Sequence, residues 1–258
     1  MKYNLELAGA QPEAAVSVMT TLVEKIRLIR TKPDRLMNEM MSGRNYVVSF
    51  VNAHAMNLAC KDPEFFSALR SADVLLRDGT GTQILLNAIG KEPGLNMNGT
   101  DFIPKLILAN KQHPIALYGS TAQTAAAAAA RLERAGACQV THCDGFQAPD
   151  DYLRLLKAQQ PRIVVLGMGM PKQELLSARI ARDLPGPMLI VNGGAILDFI
   201  AQRVGRAPRL MRRLGLEWLF RLLLEPNRLW RRYLLGNFTF LWRTAQLMLI
   251  RHALKEEG

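Results

Sequence analysis

The chain has 258 residues, of which 49% are hydrophobic and 21% are charged. This composition is typical of a globular protein and excludes a disordered, collagen-like or coiled-coil chain. Three cysteines without a paired framework indicate a protein of a reducing compartment. The net charge of +11 is unevenly distributed, because residues 199–258 alone contribute +8 and contain all three tryptophans.

Two features bear on targeting. The N-terminal residues lack a cationic start followed by an apolar run, so we expect no signal peptide. The longest apolar stretch, 233–249, is broken by Arg243, so we expect no membrane-spanning helix. Together these features predict a cytoplasmic protein.

Hydrophobic periodicity predicts a helix at the start of the chain and then alternating strands and helices. Apolar residues from Val16 to Ile29 recur at helical spacing. Apolar runs predict strands at 46–51, 74–76, 115–118, 139–141, 163–166 and 188–191. Helical patterns lie near 62–71, 80–89, 101–112, 121–135, 150–159, 173–183 and 195–203. Buried strands alternating with helices predict a doubly wound, Rossmann-like α/β fold with a mostly parallel sheet.

The same patterns divide the chain into three parts. We expect an N-terminal helical segment (1–43), a Rossmann-like α/β body (44–200) and a basic, amphipathic helical appendage (201–258), here called the tail. Most predicted strands end in small or polar residues, where ligands of open α/β sheets bind. Glycine at a single strand end can simply make a tight turn, but the series as a whole predicts an anionic ligand.

Several common enzyme signatures are absent from the sequence. The run from Gly167 to Lys172 begins like a dinucleotide-binding loop but has Lys where the third Gly belongs. There is no Walker A motif, no H-E-x-x-H and no serine-hydrolase elbow. Cys138, His142 and Cys143 are too few and too crowded for a zinc site, so we expect no metal.

An ordered series of motifs points to one family. The motifs are Asp78-Gly79-x-Gly81, Asn98-Gly99-Thr100-Asp101, Gly167-x-Gly169-x-Pro171-Lys172-Gln173-Glu174, Gly193-Gly194-x-x-x-Asp198, Arg206-Ala207-Pro208 and Gly215-Leu216-Glu217-Trp218-x-x-Arg221-x-x-x-Glu225-Pro226-x-Arg228. From about Tyr46 to Tyr233 the chain resembles the WecG/TagA/CpsF glycosyltransferases, bacterial enzymes of cell-surface polysaccharide assembly.

The resemblance implies a reaction and its partners. Such enzymes transfer a sugar, with inversion, from a nucleotide donor, usually a UDP-sugar, to a polyprenyl-diphosphate-linked glycan. The protein is then expected to work peripherally on the inner face of the cytoplasmic membrane, with no cofactor beyond the donor substrate. Resemblance also suggests a homo-oligomer.

The resemblance assigns the catalytic base to Asp78, which follows a predicted strand and precedes a helix. Inversion needs such a base for the acceptor hydroxyl, and the helix dipole would keep it ionised. The alternative is that Asp78 only caps the helix. The other residues expected to bind substrate are Asn52, Gly79, Gly99, Asp101, Gly119, Gly167, Gln173, Asp198, Arg221, Arg228 and Arg231.

Some of these residues have structural alternatives. Asp101 could equally be a helix cap, Lys172 a phosphate ligand or a solvated side chain, and Asp198 a donor ligand or an exposed residue. We expect Gln173 to hydrogen-bond a sugar or base edge. His54 is expected to be structural.

Two residues depart from the family pattern. Phe50 stands where a threonine is common, and Asn96 stands where an arginine is usual. Because Phe50 lacks the threonine hydroxyl, we expect a different arrangement of residues around the acceptor. Because Asn96 lacks the arginine charge, we expect a different donor sugar.

The tail combines arginines with apolar residues. Arg221, Arg228 and Arg231 fall near one face of a continuous helix, and the resemblance places the family's arginines over the donor diphosphate. Guanidinium groups can neutralise leaving UDP, and the sequence has no D-x-D motif, so we expect metal-independent transfer. The Trp- and Leu-rich surface predicts binding to an anionic membrane, not to nucleic acid. The alternatives are an RNA-binding protein or methyltransferase using the tail, and a non-catalytic nucleotide-sugar sensor.

Overall fold

The computed structural model describes residues 12–41 and 43–256. The expectation of no signal peptide concerns residues 1–11, which lie outside the described residues. Seven strands form one parallel sheet in the order β1-β3-β2-β7-β6-β4-β5. The strands are β1 (Ile26–Arg27), β2 (Tyr46–Val51), β3 (Val74–Arg77), β4 (Ile115–Gly119), β5 (Val140–Cys143), β6 (Ile163–Gly167) and β7 (Leu189–Asn192). The predicted doubly wound α/β fold is confirmed.

Helices cover both faces of the sheet. They are α1 (Pro12–Lys25), α2 (Asp34–Met40), α3 (Ala53–Ala59), α4 (Pro63–Ser71), α5 (Gly79–Ala88), α6 (Gly99–Ala109), α7 (Ala122–Arg134), α8 (Pro149–Gln159), α9 (Lys172–Asp183), α10 (Ile196–Ile200), α11 (Arg209–Arg213), α12 (Glu217–Leu224), α13 (Pro226–Trp230) and α14 (Gly236–Glu256). A π-helical turn, Arg231–Leu235, joins α13 to α14. Among the described residues, no helix is both long and apolar enough to cross a bilayer.

Alternation of side chains along each strand produces two cores. In β2, Val47 and Val51 face one core, whereas Val48 and Phe50 face the other. The first core lies under α1, α3, α4, α5, α8, α9 and α14, and the second lies under α2, α6, α7 and α10. The sheet is therefore buried on both faces, which explains its continuous apolar strands.

The N-terminal region differs from the prediction. The helix expected to reach Ile29 ends at Lys25, and Ile26 instead pairs with Leu75 on β3. A two-residue edge strand is too short to produce a pattern of its own, so it was indistinguishable from the end of the helix. The sheet therefore takes one strand from the predicted 1–43 segment, while the three-part division itself stays a prediction.

The tail packs against the body through α14. Phe240 and Leu247 are buried in the first core, next to α1, α3 and α5. Arg243 donates to the side-chain oxygen of Asn57 at 2.9 Å, and Asn57 donates to the carbonyl of Gly236 at 2.6 Å. These contacts attach the start and middle of α14 to α3.

Candidate active site

A cleft of about 780 Å³ opens at the carboxyl ends of the strands. Its walls come from the loops that follow β2 to β7 and from the tail. Eight of the predicted site residues line it: Asn52, Asp78, Gly99, Gly167, Gln173, Asp198, Arg221 and Arg228. The structure places the other four outside the lining: Gly79, Asp101, Gly119 and Arg231.

Asp78 stands at the end of β3, immediately before α5, but its side chain does not cap that helix. The cap comes from Asn96, whose Oδ1 accepts a hydrogen bond from Gly79 N–H at 2.9 Å. Asn52 Nδ2 donates to Asp78 Oδ2 at 3.5 Å, while Asn52 Oδ1 caps α3 through Ala55 N–H. The Asp78 carboxylate is thus oriented by Asn52 and remains available to a ligand.

Burial is the main influence on the pKa of Asp78. It raises the pKa above the ordinary aspartate value, and the nearby carboxylate of Glu217 raises it further. The hydrogen bond from Asn52 and the charges of Arg232 and Arg221 act in the opposite direction. We expected the helix dipole to keep this group ionised; burial instead makes it a better proton acceptor than an exposed aspartate.

Four tail arginines line the cleft: Arg203, which donates to the Thr124 hydroxyl, and Arg221, Arg228 and Arg232. The Nε atoms of Arg221 and Arg232 are buried and have no hydrogen-bond partner among the described residues. Arg228 is paired with Glu225 at 2.6 Å. The side chains of Arg221 and Arg232 are both half-buried and line the cleft, so their guanidinium groups can bind an anion there.

Arg232 replaces Arg231 in this set. Arg231 is exposed, and its guanidinium lies over the ring of Trp230 at 5.3 Å. The helix expected to align the arginines breaks at Glu225 (φ −135°, ψ 60°) and then widens into the π turn that begins at Arg231. Arg232 lies four residues after Arg228 and eleven after Arg221, which is the spacing of residues on one helix face, so the sequence contained a signal for it.

His54 also lines the cleft. Burial and the positive charge of Arg232 lower the pKa of His54 to about 4. The imidazole is therefore neutral at pH 7 and adds no charge to the arginine-rich side of the cleft.

Gly119 and Gly167 are paired at the ends of the neighbouring strands β4 and β6. A Cβ on Gly119, which has φ +147°, would lie 2.3 Å from the carbonyl oxygen of Gly167. A Cβ on Gly167 would lie 2.8 Å from Leu197. These glycines permit close packing of backbone, and only Gly167 reaches the cleft.

Gln173 holds two glycine-containing loops together. It is buried, and its Oε1 accepts hydrogen bonds from Gly169 N–H at 3.1 Å and Gly194 N–H at 2.9 Å. Its Nε2 donates to Glu174 at 2.8 Å. In this structure Gln173 positions the cleft wall, whereas we expected it to contact a sugar or base edge.

Asp198 and Ser120 form a polar pair in the cleft. Ser120 follows β4 with a left-handed backbone (φ 53°), and its hydroxyl donates to Asp198 Oδ1 at 3.0 Å. Asp198 therefore faces the ligand space, as expected, and keeps a second carboxylate oxygen.

Asp101 and Lys172 have structural partners. Asp101 exchanges hydrogen bonds with Asn98 at the start of α6 and accepts from Arg206 at 2.8 Å, which ties α6 to the tail. Lys172 Nζ donates to the carbonyl of Gly145 at 2.8 Å. Neither of the two alternatives weighed for Lys172, phosphate contact or free solvation, describes this arrangement.

The two departures from the family pattern have distinct places. Phe50 lines the cleft and packs edge-on against Phe102, with ring centroids 6.3 Å apart. Asn96 caps α5, as described above. Among the described residues, no three His, Cys, Asp or Glu side chains converge as a metal site requires. Metal-independent transfer stays a prediction.

Comparison with known proteins agrees with the motifs. Residues 8–254 match the sequence model described as "Glycosyl transferase WecG/TagA/CpsF family". The chain is 29% identical over 181 residues to the N-acetylglucosaminyldiphosphoundecaprenol N-acetyl-beta-D-mannosaminyltransferase of Bacillus spizizenii (strain W23), covering 68% of this chain and 70% of that protein. Because the family match spans nearly the whole chain and its motif residues build one cleft, the protein belongs to the WecG/TagA/CpsF glycosyltransferase family.

Proposed function

We propose that the protein transfers a sugar, with inversion, from a UDP-sugar to a polyprenyl-diphosphate-linked glycan in the assembly of a surface polysaccharide or exopolysaccharide. The observation that carries this proposal is that Asp78, whose carboxylate does not cap α5, lies in the same cleft as Arg221 and Arg232. The Nε atoms of both arginines have no hydrogen-bond partner in the part of the chain that the structure describes. The Bacillus relative, by its name, transfers N-acetylmannosamine to an undecaprenyl-diphosphate-linked N-acetylglucosamine. Its name supports the lipid-linked acceptor proposed here.

In the proposed mechanism, Asp78 is the general base, and Arg221 and Arg232 stabilise negative charge. Asp78 takes the proton of the acceptor hydroxyl as that oxygen attacks the anomeric carbon. The bond from the anomeric carbon to the diphosphate breaks on the opposite face, and its electron pair leaves with UDP. Arg221 and Arg232 stabilise the charge that develops on the departing diphosphate.

The raised pKa of Asp78 gives this mechanism a pH dependence. The base acts only when it is ionised, so turnover falls as the pH drops through the pKa of Asp78. Because burial raises that pKa, the acid limb of the profile lies at higher pH than an exposed aspartate would give.

We further propose a hexose or N-acetylhexosamine as the transferred sugar and an anionic membrane surface as the site of action. The apolar wall formed by Phe50 and the absence of a cation at Asn96 distinguish the acceptor and sugar sides of this cleft from the common family pattern. Family membership gives no support to the RNA-binding or methyltransferase alternative.

The test is a UDP-release screen across UDP-hexoses and UDP-N-acetylhexosamines with crude lipid-linked acceptor. Replacing Asp78→Asn should lower turnover by about 10²- to 10⁴-fold, the usual contribution of a general base, while UDP still binds. Asp183→Asn, at a surface carboxylate paired with Arg179 and Arg182, is the matched control and should stay near wild type. Full turnover by the Asp78→Asn protein would refute the mechanism, and UDP binding without turnover in the wild type would favour the sensor alternative.

A further inference from the structure

A second cavity, here called the side groove, is lined by α6, the end of α7, α10 and the turn that follows α10. Its volume of about 530 Å³ lies within the usual range for small-molecule sites. Its apolar wall consists of Pro104 and Leu108 from α6, Leu132 and Ala135 from the end of α7, and Phe199 and Ile200 from α10. Leu108 is 43% exposed, so part of this wall faces solvent and is not covered by any residue that the structure describes.

The side groove is continuous with the active-site cleft. Three residues line both cavities: Thr100, Phe199 and Val204. This shared wall lies on the Asp78 side of the cleft, because Met97 N–H donates to the carbonyl of Arg77 at 2.9 Å. Thr100 follows Met97 by three residues and therefore lies within about 11 Å of it. A ligand with a hydroxyl group at Asp78 can thus continue past Thr100 into the side groove.

The charge around the side groove suits an anionic ligand. The charged side chains in its lining are Arg131 and Arg206, both of them cations. At the shared wall, the guanidinium group of Arg221 lies over the ring of Phe199 at 5.7 Å. Positive charge therefore borders the passage from the cleft to the groove, where a diphosphate would be stabilised.

The other end of the side groove leads to exposed apolar residues of the tail. Leu210 follows the groove residue Arg206 by four positions, so it lies within about 14 Å of it. Leu210 is 68% exposed and Leu214 is 62% exposed. The apolar surface of the groove therefore continues toward a part of the tail that presents leucines to solvent.

We propose that the side groove binds the first isoprenoid units of the acceptor's polyprenyl chain. This inference rests on the proposed function and extends it to the lipid part of the acceptor. With the sugar hydroxyl at Asp78, the diphosphate lies at the shared wall and the chain follows the groove toward Leu210. Each methylene that the groove removes from water adds about fourfold in affinity, so the groove favours a chain of several units over a single unit.

Calorimetry on the full-length protein with two lipid diphosphates tests this proposal without knowledge of the acceptor sugar. The wild type should bind farnesyl diphosphate at least about tenfold more tightly than dimethylallyl diphosphate, because the longer chain buries more methylenes. Ala135→Trp places an indole in the groove and should make the two affinities equal. Ala127→Trp, at an exposed position of α7 outside the lining, is the matched control and should keep the preference.

A second variant tests the opposite wall of the side groove. Leu108→Ser removes apolar surface without filling the space, and it should weaken binding of farnesyl diphosphate by about fourfold or more. UDP affinity should stay unchanged in all three variants, because none of these positions lines the cleft. In turnover assays with crude lipid-linked acceptor, Ala135→Trp should raise KM for the acceptor and leave kcat and KM for the donor nearly constant.

Several results would overturn the proposal. They are equal affinity of the wild type for the two lipid diphosphates, an unchanged preference in Ala135→Trp, or an equal loss of preference in Ala127→Trp. A preference that survives in Ala135→Trp while its oligomeric state changes in sedimentation would make the groove an interface between copies of the chain. A surviving preference with lost binding to phosphatidylcholine vesicles would make it a site for membrane lipid.

The same measurements separate this inference from the function on which it rests. Failure of the wild type to bind UDP would remove the proposed function, and the acceptor groove with it. Binding of UDP by the wild type without a chain-length preference would remove the groove alone.

Discussion

Glu174 is a buried carboxyl group beside the cleft, and its environment is unfavourable for charge. Its Oε1 accepts from Gln173, whereas its Oε2 is buried without a hydrogen-bond partner among the described residues. Burial raises the pKa of Glu174 from 4.5 to about 7. In the folded protein the group holds its proton at pH values where the unfolded chain has already lost it.

This difference predicts how stability depends on pH. The wild type loses stability as the pH rises from about 4.5 through 7, because folding opposes ionisation of Glu174 across that window. Glu174→Gln keeps the shape and removes the ionisation, so it should be more stable than the wild type by about 3 kcal/mol at pH 8. Below pH 4 the difference should vanish. Urea unfolding at several pH values measures this difference in the free energy of unfolding, with Glu64→Gln, at an exposed position, as control. A difference that stays constant at all pH values would contradict the prediction.

The neighbouring residues Arg231 and Arg232 allow a matched comparison of two Arg→Gln variants. Arg232→Gln removes a cleft guanidinium, and losing a hydrogen bond to a charged group should lower kcat/KM by about 10- to 150-fold. Arg231→Gln changes only an exposed side chain over Trp230 and should stay within about twofold of the wild type in the same assay. A larger loss for Arg231→Gln than for Arg232→Gln would contradict the placement of Arg232, and not Arg231, in the cleft.

At the scale of elements, most of the body could be predicted from the sequence. The six predicted strands match β2 to β7 within two residues, and the seven predicted helices match within three. These elements have continuous apolar runs or long helical periodicity, which are the strongest local signals. The short elements β1, α2 and α3 were missed, because two to seven residues contain too little of a period and owe their structure to packing.

The site could be predicted from the sequence only in part. Motifs identified Asp78 and Asp198 because strand ends converge on one edge of a parallel sheet. They could not reveal that Gln173 and Lys172 are occupied by backbone partners, since those partners come from other loops. Arg232 was missed although it stands four residues after Arg228 and eleven after Arg221, a spacing typical of one helix face, so this residue could have been predicted.

The attachment of α14 to α3 leads to a prediction for that element. Asn57→Ala removes the acceptor of Arg243 and the donor to Gly236, leaving a buried cation and a carbonyl without these partners. The free energy of unfolding should fall by about 3 kcal/mol, and α14 should exchange its amide hydrogens faster. Thr239→Ala, on the same helix and with its hydroxyl bonded to the Leu235 carbonyl of the adjoining π turn, is the control and should change stability by less than about 1 kcal/mol. Equal exchange of α14 in both variants would contradict the proposed attachment.

Across the whole molecule, α14 separates two apolar surfaces. Phe240 and Leu247 face the core, while Phe238 (69% exposed) and Trp242 (61% exposed) face outward. Removal of everything after Asp198 would take away the cleft arginines Arg221 and Arg232. Because α14 completes the first core, such a truncation would also uncover Leu22 and Met56 and other core residues around it, so outward-facing substitutions are the cleaner experiment.

The outward surface predicts membrane binding by the intact protein. Phe238→Ser combined with Trp242→Ser should lower binding to anionic vesicles by about tenfold or more, since two large aromatic groups no longer enter the interface. UDP affinity should be unchanged, because neither residue lines the cleft. Flotation with vesicles of neutral and anionic lipid measures both the loss and its charge dependence. Undiminished flotation of the double variant would place the membrane contact elsewhere on the molecule.

The helix start at α5 has a consequence for protein engineering. One acidic residue commonly terminates a strand, stabilises the next helix and serves the chemistry at once, so any substitution disturbs all three properties together. In this molecule the side-chain oxygen of Asn96 accepts the hydrogen bond from Gly79 N–H, and the carboxylate of Asp78 does not cap the helix. Helix stability and the proposed proton abstraction can therefore be adjusted independently, through two positions eighteen residues apart in the chain.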